Sequence, residues 1–175
     1  TQLVRNPGRA DYDRDSVNQI IDATPLCHVS YIIDGRPYVT PTLQWREGDT
    51  IYWHGSSASR FLRQIVDKEV CMAITHFDGF VLARSSFHHS INYRSIMLFG
   101  QATKIEDNDK NALLDSFVET LIPGRLETLR QMTDQEAKAT TVFSMAIDEG
   151  SATVRTGPPV DDNEDYALPI WAGVL

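Results

Sequence analysis

Seven consecutive residues carry the first chemical signal. They are His54, Gly55, Ser56, Ser57, Ala58, Ser59 and Arg60, set between a strand-like run and a helix-like run. Small residues let a backbone approach a ligand closely. Free N–H groups at a helix start favour an anion, and arginine pairs with a phosphate through its planar fork. The same stretch also reads as a plain helix cap. Ser57 would then cap a helix over 57–67, with Phe61, Leu62, Ile65 and Val66 on one face. Both readings are compatible, because an anion can use donors that a cap leaves free. His54 adds an imidazole that titrates near neutral pH, suited to donating a proton or orienting a substrate.

A second polar cluster, LARSSFHHSINYRS (82–95), holds Arg84, Ser85, Ser86, His88, His89, Ser90, Asn92, Tyr93, Arg94 and Ser95. Adjacent histidines on a strand point to opposite faces, so His88 and His89 are not a metal pair, and no metal is expected. No GxSxG elbow frames a nucleophile. No GxGxxG or GxxxxGK[ST] supports a dinucleotide or P-loop fold. Cys27 and Cys71 each sit inside an apolar run and read as buried reduced thiols. In the tail, DYALPIWAGVL carries Trp171, which either packs on the body or a partner subunit or covers a planar ligand.

Positioning these groups falls to short strands. Asp13 or Asp15 caps a helix with Val17, Ile20 and Ile21 on one face, and Pro25 stops it. Strands follow over 27–33, 36–45 and 50–54, the first two joined by an Asp34-Gly35 hairpin turn. Pro41 must lie at an edge or bulge, since it cannot donate to a ladder. Strands over 69–77 and 80–84 flank a second hairpin signal, Asp78-Gly79. A long strand over 93–107 has a bulge or kink at Gly100. Helices are expected over 107–122, capped by Asp107 or Asn108 with Ala112, Leu113, Phe117 and Leu121 on one face, and over 125–140. Strands over 141–149 and 151–157 precede the tail. Six or seven strands in hairpins with inserted helices predict a mainly β fold, an antiparallel barrel.

The chain has 175 residues, which suits a single domain over 1–175, with an arm at 1–13 and a tail at 158–175. A net charge of −8 argues against a general nucleic-acid partner. No segment approaches a bilayer span, and the polar N-terminal stretch lacks a signal-peptide core, so a cytoplasmic setting is expected.

Four stretches together resemble the FMN-binding split-barrel superfamily, the pyridoxamine 5'-phosphate-oxidase-like proteins. They are CHVSYIIDGRPYVTP, IYWHGSSASRFLRQI, VCMAITHFDGFVLARSSFHHSINYRSIMLFGQA and DYALPIWAGV. The similarity runs from about Arg9 to Leu175 and is greatest to the flavin-nucleotide-binding group that includes the nitroimidazole-reductase type. It implies a homodimer of six-stranded split barrels with FMN in a groove at the subunit interface. Ser59 and Arg60 would grip the phosphate. Trp53, His54 and Gly55 would run beside the ring and ribityl chain, and Thr40, Pro41 and Thr42 would approach the ring with backbone groups. Ser90, Asn92, Tyr93 and Arg94 would add contacts, some to the other subunit's flavin, and Trp171 would cover the flavin from the partner chain.

Two departures bear on function. The basic C-terminal Arg-His motif of true pyridoxamine-phosphate oxidases is absent, which argues against vitamin B6 oxidation. The Arg-Lys pair after the phosphate turn is reduced to Arg60-Phe61, so Arg84 or Arg94 is the candidate for the missing charge. The resemblance implies an NAD(P)H-dependent flavin reductase acting on a small acceptor, with His54 as proton donor. The alternatives are a non-catalytic flavin-binding, storage or sensor module, a barrel that holds haem on His54, His88 or His89, a deazaflavin binder, and a scaffold with a vestigial groove.

Overall fold

A computed structural model describes Ala10, Asp11 and residues 13–175 of the chain. Most of the expected arm therefore lies outside the described residues. Helix α1 (Arg14–Asp22) follows strand β1 (Ala10–Asp11). The Asp13 carboxylate caps α1 by accepting from the Ser16 N–H at 3.2 Å, and Val17, Ile20 and Ile21 are buried, as the pattern predicts.

Strands β2 (Leu26–Ile33) and β3 (Arg36–Glu47) are joined at Asp34-Gly35, whose φ values of 52° and 76° suit a tight hairpin turn. Then come β4 (Thr50–Ser56), α2 (Arg60–Gln64), β5 (Lys68–Leu82), β6 (Ser90–Lys104), α3 (Asp107–Leu121), α4 (Asp134–Ala139), β7 (Thr140–Ala146), β8 (Glu149–Arg155) and β9 (Gly173–Val174). Hydrogen bonding runs β2-β3-β4-β7-β6-β5, and β2 pairs again with β5, which closes a six-stranded antiparallel barrel.

Two strands change neighbours along their length. β3 pairs with β2 over Arg36–Leu43 but with β4 only over Gln44–Glu47. β6 pairs with β8 over Tyr93–Phe99 and with β7 only at Thr103 and Lys104. These changes split the barrel wall. Its interior is packed with Trp53, Phe143, Ile51, Met72, Ile74 and Leu98. Each such side chain contributes roughly 1.5–3 kcal/mol on burial. A smaller cluster of Trp45, Leu114 and Val142 lies under α3.

Several local expectations are corrected. Asp78-Gly79 is not a hairpin, because β5 runs unbroken through it beside β6, with a bulge between Phe77 and Gly79. Gly79 has φ 142°, and a Cβ there would lie 2.6 Å from the Leu175 carbonyl oxygen. That glycine admits the C-terminal strand, where Phe80 and Leu175 exchange N–H···O bonds of 2.8 and 3.0 Å. Gly100 is neither bulge nor kink. It sits in regular register opposite Val70, where a Cβ would meet Met145 Cγ at 2.7 Å.

The expected helix over 57–67 shrinks to the five residues of α2. Ser57 is not its cap: the Ser57 N–H donates to Ala139 O at 2.8 Å, and Ser59 holds the N-cap position without a side-chain bond. Glu106, not Asp107 or Asn108, precedes α3, also without a side-chain cap. Of the face expected on α3, Leu113 and Phe117 pack inward, but Leu114 is the buried leucine. Over 125–140 the chain forms a 3-10 turn at Leu126–Thr128 and then α4, which opens with a Thr133–Glu136 capping box.

Candidate functional site

Beyond Trp53, β4 pairs with β7 alone, while β3 from Arg36 to Leu43 pairs with β2 alone. Two strand edges therefore face each other without a ladder. One carries Thr40, Pro41 and Thr42, and the other carries His54, Gly55 and Ser56. Pro41 fits here because its edge has no partner to receive an N–H. Only one side-chain bond crosses the gap among the described residues, from Thr42 Oγ1 to His54 O at 3.4 Å. Unpaired backbone donors and acceptors at such an edge are available to a ligand.

An aromatic row borders this cleft. Tyr31 lies 5.6 Å from Tyr38 and 4.7 Å from Phe61, and its hydroxyl bonds Thr40 Oγ1 at 3.0 Å. The guanidinium groups of Arg36 and Arg60 stand 5.7 and 6.0 Å from the Tyr38 ring centroid. Neither makes an ion pair among the described residues, so two exposed cations share one ring. Arg36 borders this candidate cleft, and sequence reasoning missed it. Its signal was only that it directly follows the hairpin turn. Tyr38 also borders a cavity of about 550 Å³ that reaches Ile32, Val39, Gln64 and Cys71.

On β4 the alternation of side chains separates two roles. Trp53 is fully buried and stacks on Phe143 at 5.7 Å, so its side chain is core and cannot lie beside a ligand. His54 faces the other way, into a cavity of about 450 Å³ walled by α3, the Leu126–Thr128 turn and the start of α4. Its ring meets Phe117 edge-on at 4.5 Å. Burial lowers the His54 pKa, which favours the neutral imidazole at neutral pH and weakens its case as a proton donor. Gly55 serves packing, since a Cβ there would touch Leu62 Cδ1 at 3.0 Å. Cys27 is buried with its thiol pushed up to about 12, chiefly by burial, which makes it inert.

The 84–95 cluster is drawn to the tail instead. Arg84 binds Asp161 twice, through its backbone N–H at 2.8 Å and its guanidinium at 2.9 Å, and lies 5.2 Å over the Tyr166 ring. Burial would raise the Asp161 carboxyl, but the Arg84 N–H and guanidinium outweigh it and hold it below its ordinary value. Arg94 clamps Asp78 with bonds of 2.9 and 2.8 Å. Asn92 is buried, donates to Gly157 O at 3.1 Å and accepts from Arg155. His88 pairs with Asp162 at 3.3 Å, and His89 Nδ1 meets Ser85 O at 2.9 Å. Arg84 and Arg94 are thus already paired, so neither is a free charge that replaces the missing lysine. Ser90 opens β6 on the surface and Tyr93 is half-buried. Trp171 is 63% exposed and covers Gly173 of its own chain. The cleft residues come together in the chain, whereas Arg84, Asn92 and Arg94 are engaged with Asp161, Gly157 and Asp78.

A mainly antiparallel six-stranded barrel, split along β3 and β6, defines the fold class. The sequence profile of the pyridoxamine 5'-phosphate oxidase family matches residues 13–154, and the chain belongs to that family. Two solved structures share much of its sequence. It is 48% identical to the flavocytochrome Anf3 from Azotobacter vinelandii, with a TM-score of 0.92 over 99% of this chain and 81% of the other. It is 37% identical to the FAD and heme binding protein from Mycobacterium smegmatis, with a TM-score of 0.91 over 95% and 83%. A putative 5-nitroimidazole antibiotic resistance protein from Bacteroides thetaiotaomicron shares the fold at 21% identity and a TM-score of 0.67, over 83% and 86%. No curated protein sequence matches the chain. Among the described residues no helix is long and apolar enough to cross a membrane.

Proposed function

We propose that this chain is a flavin- and haem-binding split-barrel protein that works as a homodimer and passes electrons from NAD(P)H to a small acceptor. The observation that carries the flavin half is the cleft between β3 and β4. It joins unpaired backbone edges at Thr40–Thr42 and His54–Ser56 to the unpaired cations Arg36 and Arg60. The five-residue helix α2 is too short to hold an anion by its dipole, so the anion falls to the side chains. Two guanidinium groups on one ring suit a pyrophosphate better than a single phosphate. The flavin proposed here is therefore FAD rather than the FMN expected from the sequence, in keeping with the Mycobacterium smegmatis relative.

Thr40, Pro41, Thr42, Gly55 and Ser59 would line the flavin, and Arg36 and Arg60 would hold its phosphates. The chemistry a flavin supplies there is two-electron uptake from NAD(P)H and release to an acceptor. The dimer rests on the outer face of the barrel. Ile32 is 70% exposed and Val39 62%, and Leu26, Leu43 and Met97 are exposed on the same sheet. Such a contiguous apolar face is typical of a subunit interface. A second copy seated there would carry its own Ser90, Asn92, Tyr93, Arg94 and Trp171 toward the first copy's cleft.

The test is an absorbance spectrum of purified protein after FAD, FMN and haemin are each added, followed by anaerobic NADPH. The reading predicts flavin bands that bleach and a Soret band. Flavin bands that do not bleach would leave a binding module without reductase activity. A protein that ignores both flavins would end the proposal.

A further inference from the structure

We infer that the cavity between the end of β4 and α3 is the haem site, with His54 as the axial ligand to iron. This deepens the haem half of the reading above and rests on it. Haem presents a flat apolar disc, two carboxylates at one edge, and an iron that takes a neutral imidazole nitrogen. The cavity matches the apolar disc and the imidazole ligand. Leu114, Phe117, Val118, Leu126, Leu129 and Met132 give it apolar walls. Arg130, Glu136 and Asp115 stand at its rim; Arg130 is the cation there, and to meet a haem carboxylate it would have to leave the exposed pair it makes with Glu136 at 2.6 Å. His54 is the histidine of the wall, and its imidazole is favoured in the neutral form.

His54 is also without a structural task. Neither ring nitrogen has a hydrogen-bond partner among the described residues, and Nδ1 is wholly buried. With Nδ1 closed off by the protein, Nε2 is the ring nitrogen left accessible to a ligand. The other histidines fit less well. His88 and His89 are bound to Asp162 and to the Ser85 carbonyl on an exposed turn. His76 also has a buried ring nitrogen without a partner, Nε2, but it lies near the Arg94–Asp78 ion pair and lines neither this cavity nor the one beside Tyr38. His28 stands exposed on the sheet face proposed for the dimer.

The site also has a consequence for electron flow. The His54 ring points into this cavity, while its carbonyl oxygen meets Thr42 Oγ1 across the flavin cleft. One residue of β4 therefore borders both sites.

The test is a titration of haem-free full-length protein with haemin, read by Soret position and by haem bound per chain. The wild type should bind one haem per chain. His54→Ala should lose about tenfold or more in affinity, with a shifted Soret band, and excess imidazole should restore the original position. Should the alanine variant prove unstable, His54→Gln keeps the side chain's bulk and polarity and should show the same loss. Arg130→Ala should weaken binding severalfold without moving the band. An unchanged affinity and Soret band in His54→Ala would overturn the site while leaving haem binding intact, and would turn attention to His28. A wild type that takes up no haem would overturn both. FAD affinity measured on the same variants keeps the flavin claim separate.

Discussion

Two turns in this chain look alike in composition and differ in what the fold does with them. SSASR and ARSSFHH are both rich in serine and both carry an arginine beside a strand end. In the first, Arg36 and Arg60 each stand over the Tyr38 ring, and neither has an ion-pair partner among the described residues. In the second, Arg84 is closed onto the buried Asp161, and His88 onto Asp162. The difference comes from the tail, whose acids return to the end of β5 and pair with Arg84 and His88 there. Donor density alone therefore does not mark a binding site. The proposed flavin site rests instead on cations that folding leaves without an ion pair among the described residues.

Four experiments would break or sharpen that contrast. Arg60→Ala should weaken flavin binding by roughly 2–4 kcal/mol, as for other lost charge pairs, with little change in apo-protein melting. Isothermal titration with FAD measures the first and calorimetry the second. Arg84→Ala should do the reverse. It leaves the buried Asp161 without its ion partner, so the melting temperature should fall by several degrees while flavin affinity within the subunit holds.

The same clamp predicts a pH effect. The Asp161 carboxyl is held below its ordinary value, so its contribution is complete above the usual carboxylate range and is lost as pH falls through the lowered folded value. Tail release, followed by Trp171 fluorescence in a variant lacking the other tryptophans, should therefore appear on acidification and not on raising the pH. The caps give the smallest pair. Asp13→Ala should destabilise by about 1 kcal/mol because its side chain caps α1. Ser57→Ala should stay within about 0.5 kcal/mol, since its side chain caps nothing. Chemical denaturation distinguishes the two.

Much of the fold was legible because it depends on local signals. Strand-like runs between turn signals marked β2, β3 and β4, Asp34-Gly35 marked the first turn, and Val17, Ile20 and Ile21 marked the buried face of α1. Asp78-Gly79 misled because a turn dipeptide makes a hairpin only when its flanking strands pair with each other. Here both halves pair with β6, and the glycine accommodates Leu175 from the far end of the chain. Gly100 misled for the same reason, since its need for a small residue comes from Met145.

At the candidate site, His54, Gly55 and Arg60 stood out by the composition of their turn, while Thr40, Pro41 and Thr42 came only from the family resemblance. Arg36 did not stand out, because its proximity to Arg60 through Tyr38 is tertiary. Trp53 was assigned to a ligand surface and lies in the core, which strand alternation fixes only once the face of His54 is known. The consumption of Arg84 and Arg94 by Asp161 and Asp78 likewise depends on chain segments that meet only in the folded barrel.

The central claim is that the cleft held by Arg36 and Arg60 binds flavin. The most direct measurement is a fluorescence-quenching titration of FAD into the wild type and into Arg60→Ala. The account predicts saturable binding by the wild type, with affinity reduced at least thirtyfold in the variant, the lower end of about 2–4 kcal/mol. Equal affinity in the two proteins, or no binding in either, would contradict it.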